Sequence, residues 1–565
     1  MDGFGVLLIL AWLAPLLLGL LQLARPRTSV WLAASAAAPA LLAALLTPIG
    51  TAVNLPWLLL GARYGMDATA QTFLFFTALL WLLASIFGAS YLTKDGGRSR
   101  FFSFFLLAMA GNFGLIVAQE MISYYTWFAL MGFASYGLVI HTWEEEARRA
   151  ARVYIVLVVV GEVLVFAALA LLFATSGTLG FDVATSNLAA TLIFVSFGIK
   201  AGMILLHIWL PLAHPAAPIP ASAVLSGAMI KAGVLGWLRF LQPVDAYAAW
   251  GDFLIAAGLL TAFYGALIGV TQRNVKTVLA YSSISQIGLI TVAVGAWLVS
   301  GRVDQTALTA VLLYAMHHAM AKGSLFLGVG FAGAGKGALT VLLLPALALA
   351  GFPLTSGAVA KAALKTATAT LPGPWPALLG WLLPLAAVGT TLLMARFLWL
   401  MASAPAATKA IPRMMWGAWL ALNVSVATAL FLWPTGAPAV SDSFKPENLW
   451  VATWPVMVGV IVAAMAGRTV TIAPTTPAGD VLVLYQAVLR ALYVWLHTFR
   501  RKVAEAEERL PTDWGSVRPV AFVSRAAVQW ELRLRSNWLL VGGALLALTV
   551  ALLTMLYSTK CTLLC

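Results

Sequence analysis

Cysteine is almost missing from this chain of 565 residues: there are two, Cys561 and Cys565, both at the extreme C-terminus. They cannot staple a core, and the cysteine clusters that ligate iron–sulfur centres are lacking. Charge is equally scarce, at 10% of residues, where a soluble domain has about a quarter. No GxGxxG or P-loop lies between a strand and a helix, so nucleotide binding has no support, and no cofactor is expected. No alternating ten-residue pattern points to a transmembrane barrel. Neither the pair His207 and His214, on either side of a proline-rich break, nor the adjacent His317 and His318 has the look of a haem or zinc site. What is abundant is apolar: 62% of residues are hydrophobic and the mean hydropathy is +0.94. No compact soluble fold can hide that much apolar surface. Soluble enzymes, nucleic-acid binders and disulfide scaffolds are poor readings, and lipid is the expected solvent.

Apolar runs of about 20 residues, enough to cross ~30 Å of hydrocarbon, recur from end to end. They fall near 4–24, 29–48, 71–93, 101–118, 120–141, 152–175, 188–210, 221–241, 249–270, 276–299, 306–334, 338–364, 376–402, 412–433, 448–467 and 537–557. The expected architecture is therefore all-α, a polytopic membrane protein of about 16 transmembrane helices. The first run is not followed by a small-residue cleavage site and reads as a retained helix.

The net charge of +14 reads as topology in such a chain, because Lys and Arg favour cytoplasmic loops. Arg25, Arg27, Lys94, Arg98, Arg100, Arg148, Arg149, Arg152, Arg273, Lys276, Lys336, Lys409 and Arg413 all follow odd-numbered runs, against Arg63, Arg239, Arg302 and Lys445 on the other side. This places the N-terminus outside and the odd loops in the cytoplasm. Residues 468–536 fall on the same cytoplasmic side, with Arg500, Arg501, Lys502, Arg533 and Arg535 among their basic residues. From Val481 to Leu510 apolar and basic residues mix as in a helix lying in the membrane interface; the alternative is a solvated connector. A last run, Trp538 to Tyr557, is expected to anchor the C-terminus.

A charge inside a bilayer needs a reason. Lys200, Lys231, Lys322 and Lys361 fall within the runs or at breaks in them, and Lys365 follows Lys361 by about one helical turn. His207, His317 and His318 share the region; Glu120 and Glu162 are the clear carboxylates. Burial disfavours a charged form, so a lysine at depth can load and release a proton, and histidine does so readily. A line of such groups bridged by water is a proton path. The alternative, snorkelling to the interface from a helix end, fits Lys322 and Lys365 better than Lys200 and Lys231. Helix-breaking residues accompany the lysines: Pro211, Pro215, Pro218 and Pro220 after Lys200, and Gly351, Pro353 and Gly357 before Lys361. Broken helices carrying ionisable residues in two halves of a chain point to an ion site.

Four motifs then stand in order: GIKAGMILLHIWLPLAHPAAPIPASAVLSGAMIKAG from Gly198, RNVKTVLAYSSISQIGLI from Arg273, LLYAMHHAMAKGSLFLGVG from Leu312 and LPALALAGFPLTSGAVAKAALK from Leu344. With them the chain, over roughly residues 60–400, resembles the antiporter-like subunits of respiratory complex I, Mrp-type sodium/proton antiporters and membrane-bound hydrogenases. The resemblance implies two inverted five-helix repeats, each a half-channel, with discontinuous helices 7 and 12. It divides the chain into helices 1–3 (1–100), a first repeat of helices 4–8 (101–241), a second repeat of helices 9–13 (249–402), helices 14–15 (412–467), a cytoplasmic amphipathic segment (468–536) and an anchor (537–565). It assigns Lys200 to the helix-7 lysine, Lys231 to the helix-8 lysine, Lys361 to the helix-12 ionisable residue, and His207, His317 and His318 to the polar axis. One position departs from the family pattern. In Trp127-Phe128-Ala129-Leu130-Met131 the alanine stands where the family has the glutamate that partners the helix-7 lysine. Either Glu120 or Glu162 substitutes, or the first half-channel is altered.

The reading that follows is a proton-translocating subunit of a multi-subunit energy-converting complex of the inner membrane, with redox centres in partner subunits. The alternatives are an Mrp-like secondary cation/proton antiporter subunit and an energy-coupling subunit for inorganic-carbon uptake. Partners are other membrane subunits and the lipid bilayer, not nucleic acid. The stretch WEEEARRAAR from Trp143 reads as a solvated helix start rather than a docking surface.

Overall fold

The computed structural model describes residues 3–482, except 27–28, 184, 242–247, 302–304, 409 and 467–475, together with 485–487, 490–491, 494–495, 497–498 and 501. The chain forms two units, Met1–Val483 and Leu484–Cys565. The anchor expected at 537–557, and most of the amphipathic stretch before it, lie outside the described residues.

The first unit opens with α1 (Gly3–Ala24), α2 (Leu32–Ala36) and α3 (Ala38–Leu46), then the strands β1 (Ala52–Leu55) and β2 (Ala62–Gly65). Next come α4 (Ala68–Tyr91), α5 (Arg98–Val117), α6 (Met121–Val139), α7 (Glu145–Ser176) and α8 (Asn187–Ala201). After an unwound stretch follow α9 (Trp209–Ala216), α10 (Ile219–Val224), a single π-helical turn (Leu225–Met229) and α11 (Lys231–Phe240). The remainder runs α12 (Ala248–Val270), α13 (Val275–Ser300), α14 (Gln305–Gly328), α15 (Lys336–Ala350), α16 (Ser356–Ala369), α17 (Trp375–Ala402), α18 (Arg413–Leu432), α19 (Ala437–Ser443) and α20 (Pro446–Ala466).

Among the described residues ten helices are long and apolar enough to cross a membrane. Three more apolar segments are shorter: Leu32–Leu46, Asn187–Ala201 and Lys336–Ala350. The last two are where expected continuous runs, 188–210 and 338–364, stop early at breaks. Helices α6 and α14 have the length but not the apolarity, since α6 is rich in Tyr and Ser and α14 carries His317, His318 and Lys322. The pattern is that of a polytopic helical membrane protein.

The expectation of an all-helical chain needs one correction. β1 and β2 form an antiparallel hairpin, Ala52 opposite Gly65 and Leu55 opposite Ala62. Its strands have four residues each, too few to show as a period-two pattern. The hairpin is tied to the α5–α6 junction, where Gln119 N donates to Arg63 O at 2.9 Å. Beside it Asp67 caps α4, accepting from Ala70 N at 2.7 Å. The same carboxylate takes both Arg239 amino groups, at 2.5 and 3.2 Å, a fork geometry that fixes both partners. It thus pins the start of α4 to the end of α11.

Helix packing elsewhere relies on small residues, as expected where lipid supplies no hydrophobic drive between helices. Gly251, Gly258 and Gly265 recur every seven residues along α12 and meet α13. A methyl group on Gly258 would lie 2.6 Å from Gly288 O, and one on Gly251 would lie 2.8 Å from Gly295 O. Seven residues is close to two helical turns, so the three glycines form one stripe.

Candidate functional site

Two breaks position the ionisable side chains, and they share one backbone design. Helix α8 ends at Gly202 with φ +81° and α15 ends at Gly351 with φ +86°. The next amide in each reaches back six residues inclusive, Met203 N to Gly198 O at 3.0 Å and Phe352 N to Leu347 O at 3.0 Å, which is the Schellman termination. Three residues after each glycine a leucine also adopts positive φ, Leu205 at +68° and Leu354 at +64°. A turn then closes each break, Leu206 N to Met203 O at 2.9 Å and Thr355 N to Phe352 O at 3.3 Å. A non-glycine residue in this region costs about 1–2 kcal/mol, and such strain persists only where surroundings impose it.

Lys200 stands in the last turn of α8, itself buried, and lines a small cavity with Phe128, Tyr154, Gly161, Glu162, Ser196 and Trp209. The amine lies 5.6 Å from the Phe128 ring centre and 5.9 Å from that of Tyr154. Glu162 reaches the cavity from α7 and interacts electrostatically with Lys200. Its Oε2 has no hydrogen-bonding partner among the described residues. Ser196 Oγ donates to Gly161 O at 2.8 Å, so α7 and α8 are tied beside the carboxylate. Glu120 caps α6, its two oxygens accepting from Ile122 N at 2.6 Å and Ser123 N at 2.7 Å. Of the two carboxylates considered for Lys200, Glu162 is the one in its cavity.

A second group gathers where α11, α13, α14 and α16 meet. Lys231 opens α11 directly after the π turn and donates to Ser226 O at 2.6 Å. Ser226 Oγ is hydrogen-bonded to Ser283 Oγ at 2.7 Å. The π turn widens the helix and frees carbonyls for such a bond. Lys322 on α14 donates to Leu279 O at 2.5 Å and to Ser282 Oγ. His317 Nδ1 pairs with Ser356 Oγ at 3.0 Å. His214 stacks on Phe326 with ring centres 4.5 Å apart. Lys322, His214 and His318 are fully buried, and Lys231 and His317 nearly so. Electrostatic contacts link them in sequence. Lys361 acts on His317; His317, Lys231 and Lys322 act on His318; Lys231, Lys322 and Lys276 act on His214. Both ring nitrogens of His214 and of His318 lack a partner among the described residues.

Lys361 donates to Ala350 O, the carbonyl at the end of α15. Lys276 does the same for the half-helix α9, reaching Ala217 O at 2.6 Å. Cations at helix C-termini are favoured by the exposed carbonyls there. Lys365 is not drawn into the group; it is exposed and donates to Asn448 Oδ1 at 2.7 Å. His207 sits in the unwound stretch between α8 and α9, with Nε2 3.7 Å from Asp480 Oδ1.

Asp480 was not legible as a site residue, since it lies in the segment read as an amphipathic tail. Ser226, Ser282 and Ser283 carry no charge to mark them. The only available signal for the serines was their place in the two motifs that contain Lys231 and Tyr281.

Comparison with known proteins identifies the framework. Residues 118–338 match the family described as NADH:quinone oxidoreductase/Mrp antiporter, TM. Hydrogenase-4 component B of Escherichia coli is 31% identical over 284 residues, 47% of this chain and 42% of the relative. NAD(P)H-quinone oxidoreductase chain 4 2 of Thermosynechococcus vestitus is 31% identical over 294 residues, 49% of this chain and 53% of the relative. The chain thus spans about half the length of these curated relatives. Its fold is that of a chain in the Mrp complex from Dietzia sp., with a TM-score of 0.73, 22% identity, and coverage of 95% of this chain and 63% of the other. With ten helices long and apolar enough to cross a membrane among its described residues, the chain is a multi-pass membrane protein.

Proposed function

We propose that this chain moves protons across the membrane as an antiporter-like subunit of a multi-subunit complex, through buried lysine, histidine and water. The observation that carries the reading is the group of buried and half-buried lysines and histidines, Lys361, His317, His318, Lys231, Lys322 and His214, close enough to act on one another electrostatically. Six side chains that can each carry a positive charge, grouped in this way, cannot all be charged at once at acceptable cost. A proton placed on one member therefore displaces a proton from its neighbour, which is what conduction along a line requires. Buried ring nitrogens without protein partners call for water, and water supplies the links between side chains too far apart to bond directly.

Lys200 with Glu162 forms the corresponding site of the first half. The matching breaks at Gly202 and Gly351 support two related halves, consistent with inverted repeats and helices 7 and 12 of about 16. On this reading His207 joins the first site to solvent, Lys365 stands at the exposed end of the second, and Glu120 fixes α6 rather than carrying protons. The surplus of Lys and Arg after odd-numbered runs supports an N-terminus outside the inner membrane. No redox centre is proposed in this chain; a driving reaction belongs to partner subunits.

The names of the relatives favour a redox-linked complex and a secondary cation/proton antiporter alike. Purification of the intact complex decides between them: redox-carrying subunits favour the first and small antiporter subunits the second. The mechanism is tested by Lys231→Ala and Lys361→Ala in the reconstituted complex. Each is expected to stop proton movement into vesicles while leaving assembly intact; unchanged movement in both overturns the reading.

A further inference from the structure

His207 is fully buried in the unwound stretch after α8, and the carboxylate that meets it comes from far along the chain. Gly479 turns the backbone with φ +72°, and Asp480 follows it into a nest of aromatic side chains. Asp480 Oδ1 accepts from the Tyr281 hydroxyl at 2.9 Å, and Oδ2 accepts from the Tyr264 hydroxyl. Both tyrosine rings flank the imidazole, with centres 5.1 Å and 6.1 Å from that of His207. The segment is seated by Gln272 Nε2, which donates to Thr476 O at 3.0 Å, and by Thr271 Oγ1, which donates to Thr476 Oγ1 at 3.3 Å. The Asp480 side chain keeps 13% of its surface in solvent, whereas that of His207 keeps none. One carboxylate therefore reaches the protein surface on one side and faces a sealed imidazole on the other.

We infer that Asp480 is a proton-exchange port, passing protons between bulk water and His207 at the first broken helix. This rests on the proton-conducting reading above. Inward, hydronium gives its proton to the Asp480 carboxylate. The carboxylic O–H then donates that proton to His207 Nε2, leaving carboxylate and imidazolium. The imidazolium releases its other ring proton from Nδ1 to the interior, and outward transfer reverses each step. Closing the gap from 3.7 Å to hydrogen-bonding distance needs a side-chain movement of only about 0.7 Å. Tyr264 and Tyr281 keep their protons and orient the carboxylate. Burial raises the carboxyl's proton affinity, but contacts with His207, Tyr264 and Tyr281 outweigh it and hold Asp480 below the usual aspartate range. It is thus ionised and ready to accept.

The test uses the intact complex in proteoliposomes with a proton-sensitive dye, comparing wild type, Asp480→Asn, Asp480→Glu and Lys231→Ala. Asparagine keeps a hydrogen-bonding side chain for the tyrosines but cannot carry the proton. Asp480→Asn is expected to slow proton flux about tenfold or more, and Asp480→Glu to retain most of it. An infrared difference spectrum between complex at neutral pH and complex below the usual aspartate value of about 3.9 should show a carboxylic C=O band that Asp480→Asn removes. Wild-type flux in Asp480→Asn alongside a silent Lys231→Ala overturns the port and leaves proton conduction standing. Equal loss in Asp480→Asn and Asp480→Glu with no such band also overturns it, since Asp480 then only fastens the segment. Unchanged flux in Lys231→Ala counts against the underlying reading instead.

Discussion

Gly132 on α6 faces Glu162 on α7: a methyl group at position 132 would stand 3.2 Å from Glu162 Oε1. The absence of a side chain there leaves room for the carboxylate. Ala129 precedes Gly132 by about one helical turn, on the same side of α6. The family resemblance expects a negative charge on α6; here a carboxylate from the adjacent helix lines the same cavity as Lys200.

If Glu162 is the working counter-charge of Lys200, its position can be exchanged. Glu162→Gln is expected to lower proton flux about tenfold, the scale on which one nearby opposite charge changes the proton affinity of an amine. Adding Ala129→Glu in that background restores the charge from α6 and should recover a large part of the flux. Proton uptake by reconstituted vesicles reads both. A double variant no better than Glu162→Gln alone would show that the side from which the charge approaches matters.

The two breaks offer a controlled pair. A methyl group at Gly351 would come within 2.6 Å of Lys361 Nζ, whereas one at Gly202 meets Leu210 Cδ1 at 2.2 Å. Both glycines have positive φ, so alanine at either costs about 1–2 kcal/mol of backbone strain. Gly351→Ala alone also pushes Lys361 from its seat on Ala350 O. Both variants should lose similar thermal stability in detergent, while Gly351→Ala loses several times more flux. Equal flux in the two would mean that the placement of Lys361 is not limiting.

Much of this arrangement was legible because membranes make charges conspicuous. Lys200, Lys231, Lys322 and Lys361 stand out in apolar runs, and all four are at buried or half-buried positions near helix breaks or the π turn. Lys365 has the same signature in sequence but is exposed, because a side chain one helical turn further on stays in the core only if the helix is buried along its length, and α16 is not. The breaks were visible as proline and glycine, but their common backbone was not. Gly202 and Leu205 share a spacing with Gly351 and Leu354 that only dihedral angles reveal. Asp480 was hidden for a different reason: nothing local marks a carboxylate whose partners, His207, Tyr264 and Tyr281, lie about 200 residues or more away along the chain.

Acid should weaken the anchorage between α4 and α11. Burial pushes the Asp67 carboxyl up, but the charge and hydrogen bonds of Arg239, with Ala70 N and Gln119, outweigh it and hold the group below the usual aspartate range. A depressed folded value means that the contribution to stability is complete above the unfolded value of about 3.9. It is lost as pH falls further through the folded value. Asp67→Asn is therefore expected to lower the melting temperature of the detergent-solubilised protein at neutral pH. It should also flatten the fall in stability below about pH 4. Parallel acid profiles for wild type and variant would assign that fall to other carboxylates.

Lys322 separates a working amine from a structural one. Its ammonium donates to Leu279 O and Ser282 Oγ in a site closed to solvent. Methionine has a similar length and no charge. The carbonyl it would abandon still accepts from Ser282 Oγ and Ser283 Oγ, both at 3.0 Å, so no orphaned acceptor remains. Replacing a buried ion by an apolar side chain of like volume is often neutral or stabilising. Lys322→Met should therefore leave the melting temperature unchanged or higher, while proton flux falls about a hundredfold if the amine carries protons. A variant that conducts normally but melts lower would make Lys322 a fastening between α13 and α14 and remove it from the proton path.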